Sequence, residues 1–354
     1  MRSKTILASS AVLAGAGVLC AGALTAALTA IVWKGLARLA SQRLRGKVVL
    51  ITGGSRGLGL ALAEEFGRRG AKLVLTARDA DELTRARWKL IDRGVVNPAD
   101  VLVVPADLRE PDAANHVTEQ ATERFGHVDI LVNNAGIITV GPFENQTAKD
   151  FHDVMDANFF SGVHCALAVV PQMLRRRSGT IVNIASMGGK VAVPHLLPYT
   201  ASKFAAVGFS EGLTAELRSK GIHVLTVCPG LMRTGSHLHA LFTGDAPREY
   251  RWFSLGASLP GASTSAAHAA RRIVRAVLLG ETEIAITPQA ALAARFAHTA
   301  PELVSRAMSA VNRLLPRPVA EHIEPRAGAG VRNLELVSAT RLGWAAAERY
   351  NQTH

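Results

Sequence analysis

Lys47-Val-Val-Leu-Ile-Thr-Gly-Gly-Ser-Arg-Gly-Leu-Gly-Leu60 is the stretch that decides the fold. Its first six residues form a short apolar run of β-branched character and read as a buried strand. Gly53, Gly57 and Gly59 then punctuate the chain, after which Leu60, Leu62, Ala63 and Phe66 follow a helical pattern. A glycine-rich turn between strand and helix lets the main chain approach a pyrophosphate, whose charge is met by the helix N-terminus. Three glycines alone are a weak signal. The strand before them and the helix after them make a dinucleotide-binding unit the preferred reading.

A second strand, Lys72 to Ala77, ends 18 residues past Gly59. An NAD-binding unit places an acidic residue near there, to hold the ribose 2′-hydroxyl. This chain has Arg78 instead, with Arg56 inside the glycine turn. Two guanidinium groups at that corner suit a 2′-phosphate, so NADP(H) is expected. The plainer reading is two solvated arginines in an Arg-rich chain. Further strands are expected at 101–104, 130–132, 180–184 and 223–227, with helices near 111–126, 147–177 and 200–219. This alternation predicts an α/β fold, a doubly wound parallel sheet covered on both faces.

Taken together, these residues resemble the short-chain dehydrogenase/reductase family in its compact branch. Thr52 to Gly59 matches the family's T-G-x-x-x-G-x-G turn, and Asn133-Asn-Ala-Gly136 its N-N-A-G motif. Ser186 lies thirteen residues before Tyr199, which opens the Y-x-x-x-K motif ending at Lys203. Asn158 stands where the family has its fourth catalytic residue, and Pro229-Gly230 with Thr234 resembles its P-G motif and following threonine. The resemblance runs from about Gly46 to Thr287 and implies a Rossmann fold. It also implies that Gly53, Ser55, Arg56, Gly57, Leu58, Gly59, Arg78, Asp107, Asn134, Lys203, Pro229, Gly230 and Thr234 bind the cofactor. In it, Asp107 contacts adenine and Asn133 stabilises the central strands.

Carbonyl reduction needs a hydride donor, a proton donor and a group that stabilises charge on oxygen. Tyr199 and Lys203, four apart, can share one helix face, and an ammonium near a phenol lowers its pKa toward the working range. The resemblance implies that Tyr199 is the acid/base and that Lys203 also holds the nicotinamide ribose. Ser186 is implied to bind the substrate oxygen, and Asn158 to hold a water in the proton relay. The expected activity is interconversion of a secondary alcohol and a ketone. Its rival is a non-catalytic, membrane-anchored dinucleotide-binding scaffold, which would need no such set of four.

Between Pro229 and Ala266 a long irregular stretch is expected to act as a lid. Its Met232, Leu238, Leu241, Phe242, Tyr250, Trp252 and Phe253 would face Val191, Val193, His195 and Leu196. That lining suggests a hydrophobic small-molecule substrate such as a lipid, fatty-acyl or steroid-like compound; core packing is the other reading. His237 and His239 lack a carboxylate-rich setting and are not expected to bind metal. Cys20, Cys165 and Cys228 are too far apart for a disulfide scaffold.

The 354 residues carry 40 Lys and Arg against 28 Asp and Glu, leaving +12, which suits nucleic acid or an anionic membrane. No nucleic-acid module is recognised and the arginines are scattered, so nucleic acid is not expected as a partner. From Thr5 to Trp33 run 29 uncharged residues, where about 20 suffice to cross a bilayer. Arg2 and Lys4 precede the run; Lys34, Arg38, Arg43, Arg45 and Lys47 follow it. This bias favours a single-pass anchor with a cytoplasmic catalytic domain. The competing reading is a cleaved signal peptide, because Ala21-Gly22-Ala23 has the small-x-small form of a cleavage site. The expected organisation is an anchor and basic linker over 1–45, a catalytic domain over 46–290 and an extension over 291–354. That extension is expected to carry helices at 290–298 and 301–315. A homodimer or homotetramer is compatible with this reading.

Overall fold

The computed structural model describes residues 44–258, 263–320, 324–331 and 341–353. The uncharged run from Thr5 to Trp33 lies outside them. By contacts the chain divides into two units, Met1–Arg45 and Gly46–His354, and the second is described here.

Seven parallel strands form the central sheet. They are β1 (Val48–Thr52), β2 (Lys72–Ala77), β3 (Val101–Pro105), β4 (Ile130–Asn133), β6 (Gly179–Ile184), β7 (Ile222–Cys228) and β11 (Glu283–Ala285). Their order across the sheet is β11-β7-β6-β4-β1-β2-β3. All five residues of β1 are buried, as expected of a strand covered on both faces. Val48 and Leu50 enter one core with Leu131, Cys165, Val169 and Met173; Val49 and Ile51 point the other way. Helices follow most strands: α1 (Gly57–Gly67), α2 (Ala80–Asp92) and α3 (Pro111–Phe125) come first. The chain thus folds as the expected parallel-sheet Rossmann-like α/β unit.

Because β1 lies between β2 and β4, successive crossovers run in opposite directions from it. Parallel sheets bind ligands in the crevice at the carboxyl ends of strands at such a switch point. The glycine turn leaves β1 there, Asn134 leaves β4, Ser186 follows β6 and Pro229 follows β7.

Strand β4 is followed by the short β5 (Thr139–Val140). After it, α4 (Ala148–Met155) passes through one π-helical turn, Asp156–Phe160, into α5 (Ser161–Arg176). The Ala148–Arg176 run is the one described helix long and apolar enough to cross a membrane. Its Val154, Cys165, Val169 and Met173 are instead buried, the last three in the core beneath the sheet. Helix α6 (Leu197–Leu217) carries Tyr199 and Lys203.

The stretch after Pro229 is less irregular than its Gly, Pro and Ser content predicts. It holds β8 (Leu231–Arg233), β9 (Leu241–Phe242), α7 (Ala246–Ser258) and β10 (Ser263–Ser265). Tyr250, Phe253 and Ala257 recur at helical spacing in α7 and are all buried, and this burial offsets poor local propensity. Next come α8 (Ala266–Leu279), then α9 (Pro288–Thr299) and α10 (Pro301–Asn312) near the expected positions. Helix α10 buries none of its residues. Further on, β12 (Arg326–Ala327) pairs antiparallel with β9, which pairs in parallel with β5. The short α11 (Gly328–Val331) and then α12 (Arg341–Arg349) complete the described elements.

Candidate active site

The cleft at the switch point encloses about 760 Å³. Its floor depends on two close approaches. A Cβ on Gly59 would overlap the carbonyl oxygen of Gly53, so only glycine brings α1 this near the turn. The Thr52 hydroxyl accepts from the main-chain N–H groups of Asn134 and Ala135, both at 2.9 Å. The Asn134 side chain returns the tie, donating to Thr52 O at 2.9 Å and Gly53 O at 3.2 Å. Gly57, at φ +58°, turns the chain into α1 and lies in the left-handed region that suits glycine.

Most of the residues expected from sequence converge here. Gly53, Ser55, Arg56, Gly57, Leu58 and Asn134 line the turn end, and Arg78 and Asp107 the adenosine corner. Ser186, Tyr199, Lys203, Pro229, Gly230 and Thr234 line the other end. Gly59 lies beneath the turn. Asn158 lies in the π turn behind Gly136, a kind of helix defect often found at functional sites. Its amide accepts from Ile137 N at 2.7 Å and donates to Ile137 O at 3.0 Å and Ser202 Oγ at 2.9 Å. These bonds make Asn158 a positioning residue for the cleft wall. Asn133 donates to Asn183 at 2.9 Å, and Asn183 to Ser210 at 3.0 Å, forming a buried polar link between the central strands and α6.

A dinucleotide fits this cleft on three counts: the glycine cradle at a helix N-terminus, the elongated shape, and cationic side chains at one end. Residues 47–240 match the family profile described as short chain dehydrogenase. A dehydrogenase/reductase SDR family protein 7-like from Anopheles gambiae is 36% identical over 284 residues, 78% of this chain and 88% of its own length. A solved short-chain dehydrogenase from Streptomyces avermitilis superposes with a TM-score of 0.63 at 30% identity, covering 75% of this chain and 98% of its own. One from Burkholderia phymatum, in complex with NAD, gives 0.66 at 28%, covering 73% and 95%. The chain belongs to the short-chain dehydrogenase family. It is an oxidoreductase of that family, and its cleft is where a nucleotide cofactor of the NAD or NADP type fits.

In this dehydrogenase Tyr199 and Lys203 differ electrostatically from the expectation that the ammonium lowers the phenol's pKa. Burial pushes the Tyr199 phenol up, and its hydrogen bond with Ser186 offsets only part of that rise. The Lys203 ammonium lies 5.7 Å from the tyrosine ring centre and donates to Ile184 O at 2.9 Å. Burial lowers Lys203 itself to about 8. The phenol is therefore held protonated, as a proton donor must be. Cys228 ends β7 as a buried packing residue whose thiol burial pushes up to about 12.

The corner of Arg78 and Asp107 holds one acidic group that sequence reasoning passed over, Glu82, beside the expected Asp107. Glu82 accepts from Arg56 at 2.6 Å and from Ser55 Oγ at 3.0 Å. It stands three residues after Asp79, the N-cap of α2, so in sequence it reads as an ordinary capping residue. Asp107 is engaged by Arg109, whose hydrogen bond holds its carboxyl below the usual range.

The expected apolar substrate wall is divided. Of the expected residues only Met232 lines the cleft, where Ile137, Ile138 and Ala240 join it. Phe242, Tyr250 and Phe253 instead pack with Val140 and Leu196 in a second core beneath α7, as a buried aromatic cluster does. His195 joins that core through Glu249, at 2.8 Å, which also accepts from Trp252 Nε1 at 2.6 Å. His237 packs tilted against Tyr250 and edge-on to Trp344, whereas His239 meets Arg56 and Gln352 O.

The depressed Lys203 pKa fixes a sign for stability. Its folded value, about 8, lies below the unfolded value near 10.5, so the charged form is disfavoured by folding. That penalty is present below pH 8 and is relieved as pH rises toward 10.5. Between pH 7 and 9.5 the parent should therefore gain stability relative to Lys203→Met. Parallel melting-temperature profiles for the two proteins would contradict the assignment.

Proposed function

We propose that the protein is a membrane-anchored, NADP-dependent oxidoreductase that interconverts a secondary alcohol and a ketone on a hydrophobic substrate. The observation that carries this reading is the meeting of Ser186, Tyr199 and Lys203 on one wall of the cleft. Tyr199 and Ser186 both lie against Gly188 there, the tyrosine ring edge and the serine hydroxyl 3.3 and 3.5 Å from where its Cβ would stand. A scaffold that only held nucleotide would have no need of the three together.

A bound nicotinamide supplies the hydride in reduction and accepts it in oxidation. Tyr199 gives its proton to the carbonyl oxygen in reduction and takes the hydroxyl proton in the reverse direction. Ser186 orients that oxygen. One N–H of Lys203 is used on Ile184 O, which leaves two for a ribose hydroxyl and for the electrostatic support of a phenolate. Asn158 holds the Ile137 main chain and is the expected support of a relay water. Met232, Ile137, Ile138 and Ala240 favour an apolar substrate.

General acid–base catalysis contributes about 10²–10⁴-fold. Tyr199→Phe should therefore lower kcat by about 100-fold or more while cofactor affinity stays nearly unchanged. A screen of lipid and steroid alcohols and ketones, followed by NADPH absorbance, supplies the substrate. Residual activity near the parent's would remove Tyr199 from the proton transfer.

NADP preference is supported by Arg78, which is exposed at the corner, and by Arg56. Arg56 is already paired with Glu82, so the two contribute unequally. A charge-assisted bond to phosphate is worth about 1.5–3 kcal/mol, or about ten- to a hundredfold in affinity. Arg78→Ala should erode the preference for NADPH over NADH more than Arg56→Ala, as measured by fluorescence titration. Undiminished discrimination in the double variant would place recognition of the 2′-phosphate elsewhere.

The anchor rests on the uncharged Thr5–Trp33 run and the five basic residues after it. The full-length protein should sediment with membranes and resist extraction by high salt, which releases proteins held only by charge. Removing residues 1–33 should weaken attachment strongly, and protease outside intact cells should leave the catalytic domain uncut. A soluble exported form beginning at Leu24 would instead identify the run as a signal peptide.

A further inference from the structure

Residues 350–352, more than 290 positions from the glycine turn, are packed directly on it. Gly57 N–H donates to Tyr350 O at 2.9 Å. Asn351 is wholly buried, and its side-chain nitrogen donates to Ser55 O and Glu82 O, both at 3.1 Å. Its side-chain oxygen accepts from Lys89 Nζ at 3.3 Å. Gln352 N–H donates to Ala347 O at 2.8 Å, and Gln352 O meets His239 Nε2 at 3.1 Å. The segment is therefore clamped on both sides of the Gln352 side chain.

That side chain is 5% exposed and lines the cleft, and its Oε1 has no hydrogen-bond partner among the described residues. Buried amide oxygens are rarely left unpaired, because water would otherwise satisfy them. The Gln352 amide nitrogen stands 2.7 Å from where a Cβ on Gly57 would lie, and Thr234 Cβ 3.8 Å from the same point. It thus overhangs the N-terminus of α1, where a pyrophosphate is expected. Tyr350 O has meanwhile taken one of the N–H groups that a helix N-terminus offers an anion. An amide beside it restores a donor, since glutamine presents both an NH₂ and an acceptor oxygen.

We infer that Gln352 is a ligand-contacting residue of the dinucleotide site, carried there by residues 350–352 acting as a strap. Its NH₂ reaches a pyrophosphate oxygen. The inference rests on the dinucleotide reading of the cleft.

The test uses the full chain and its variants Gln352→Ala, Gln352→Glu and Asn351→Ala. NADPH and NADH are titrated by fluorescence, and ADP-ribose and adenosine 5′-monophosphate by competition. Gln352→Ala should weaken both dinucleotides and ADP-ribose by about three- to tenfold, and Gln352→Glu by more, since it sets a carboxylate against phosphate. Adenosine monophosphate, which lacks the second phosphate and ribose, should lose far less. The melting temperature of Gln352→Ala should match the parent's, and Asn351→Ala, which frees the strap, should reproduce the loss. Unchanged affinities in both Gln352 variants would overturn the inference. So would equal losses for adenosine monophosphate, which indicate a structural role, or tighter binding in Asn351→Ala, which indicates a strap that obstructs the site. A parent that binds neither dinucleotide would refute the reading of the cleft itself.

Discussion

The structure depends most on the join between the glycine turn and the loop after β4. Gly59 lets α1 approach the turn so closely that any side chain there would strike Gly53 O. Thr52 and Asn134 then bind the two strand ends through four hydrogen bonds that leave neither group's main positions to water. A parallel sheet opens at its switch point because crossovers diverge there. This join keeps that opening narrow and fixed. The helix N-terminus, the Asn134 loop and the walls formed by Ser186 and Pro229 all take their positions from it.

The wall that carries Tyr199 and Lys203 is built outward from the same floor by burial. Tyr199 and Lys203 share the first turns of α6, and both lie where charge is poorly solvated. Burial alone moves the two groups in opposite directions, the phenol up and the ammonium down. The pair is consequently biased toward a neutral phenol and an easily deprotonated lysine. Ile184 O holds the lysine by one hydrogen bond, which fixes its position without neutralising it. The π turn that holds Asn158 is packed behind this pair. Its extra residue per turn brings the amide to Ile137, tying the helix to the cleft wall.

Much of this was legible in sequence because it depends on short, local patterns. The strand–turn–helix at residues 47–66 needs only apolar periodicity and glycine placement, and Tyr199 and Lys203 need only a four-residue spacing. What was not legible depends on distant contacts. Helix α7 is favoured by burial of Tyr250 and Phe253 in a core that includes Val140 and Leu196, not by its own composition. The same burial takes those aromatic rings out of the substrate wall. Strand β12 exists because β9 offers it an edge. Glu82 looked like part of a helix cap, and nothing local to Asn351 or Gln352 connects them to Ser55 and Gly57.

These distant contacts change how the chain's basic character should be understood at the cofactor corner. Sequence gives that corner two cations, Arg56 and Arg78, and the structure adds Arg109 as a third. In the structure Arg56 is held by Glu82 and Arg109 by Asp107, so two of the three are already compensated. A phosphate arriving there gains most from Arg78, whose charge is not offset by an ion pair among the described residues. The paired arginines instead set shape: Arg56 joins Glu82 and His239 in a network that also touches the main chain of Gln352. Charge compensation thus links Arg56, in the glycine turn, to the strap packed over that turn through its contacts with Glu82 and His239 and the contact of His239 with Gln352 O.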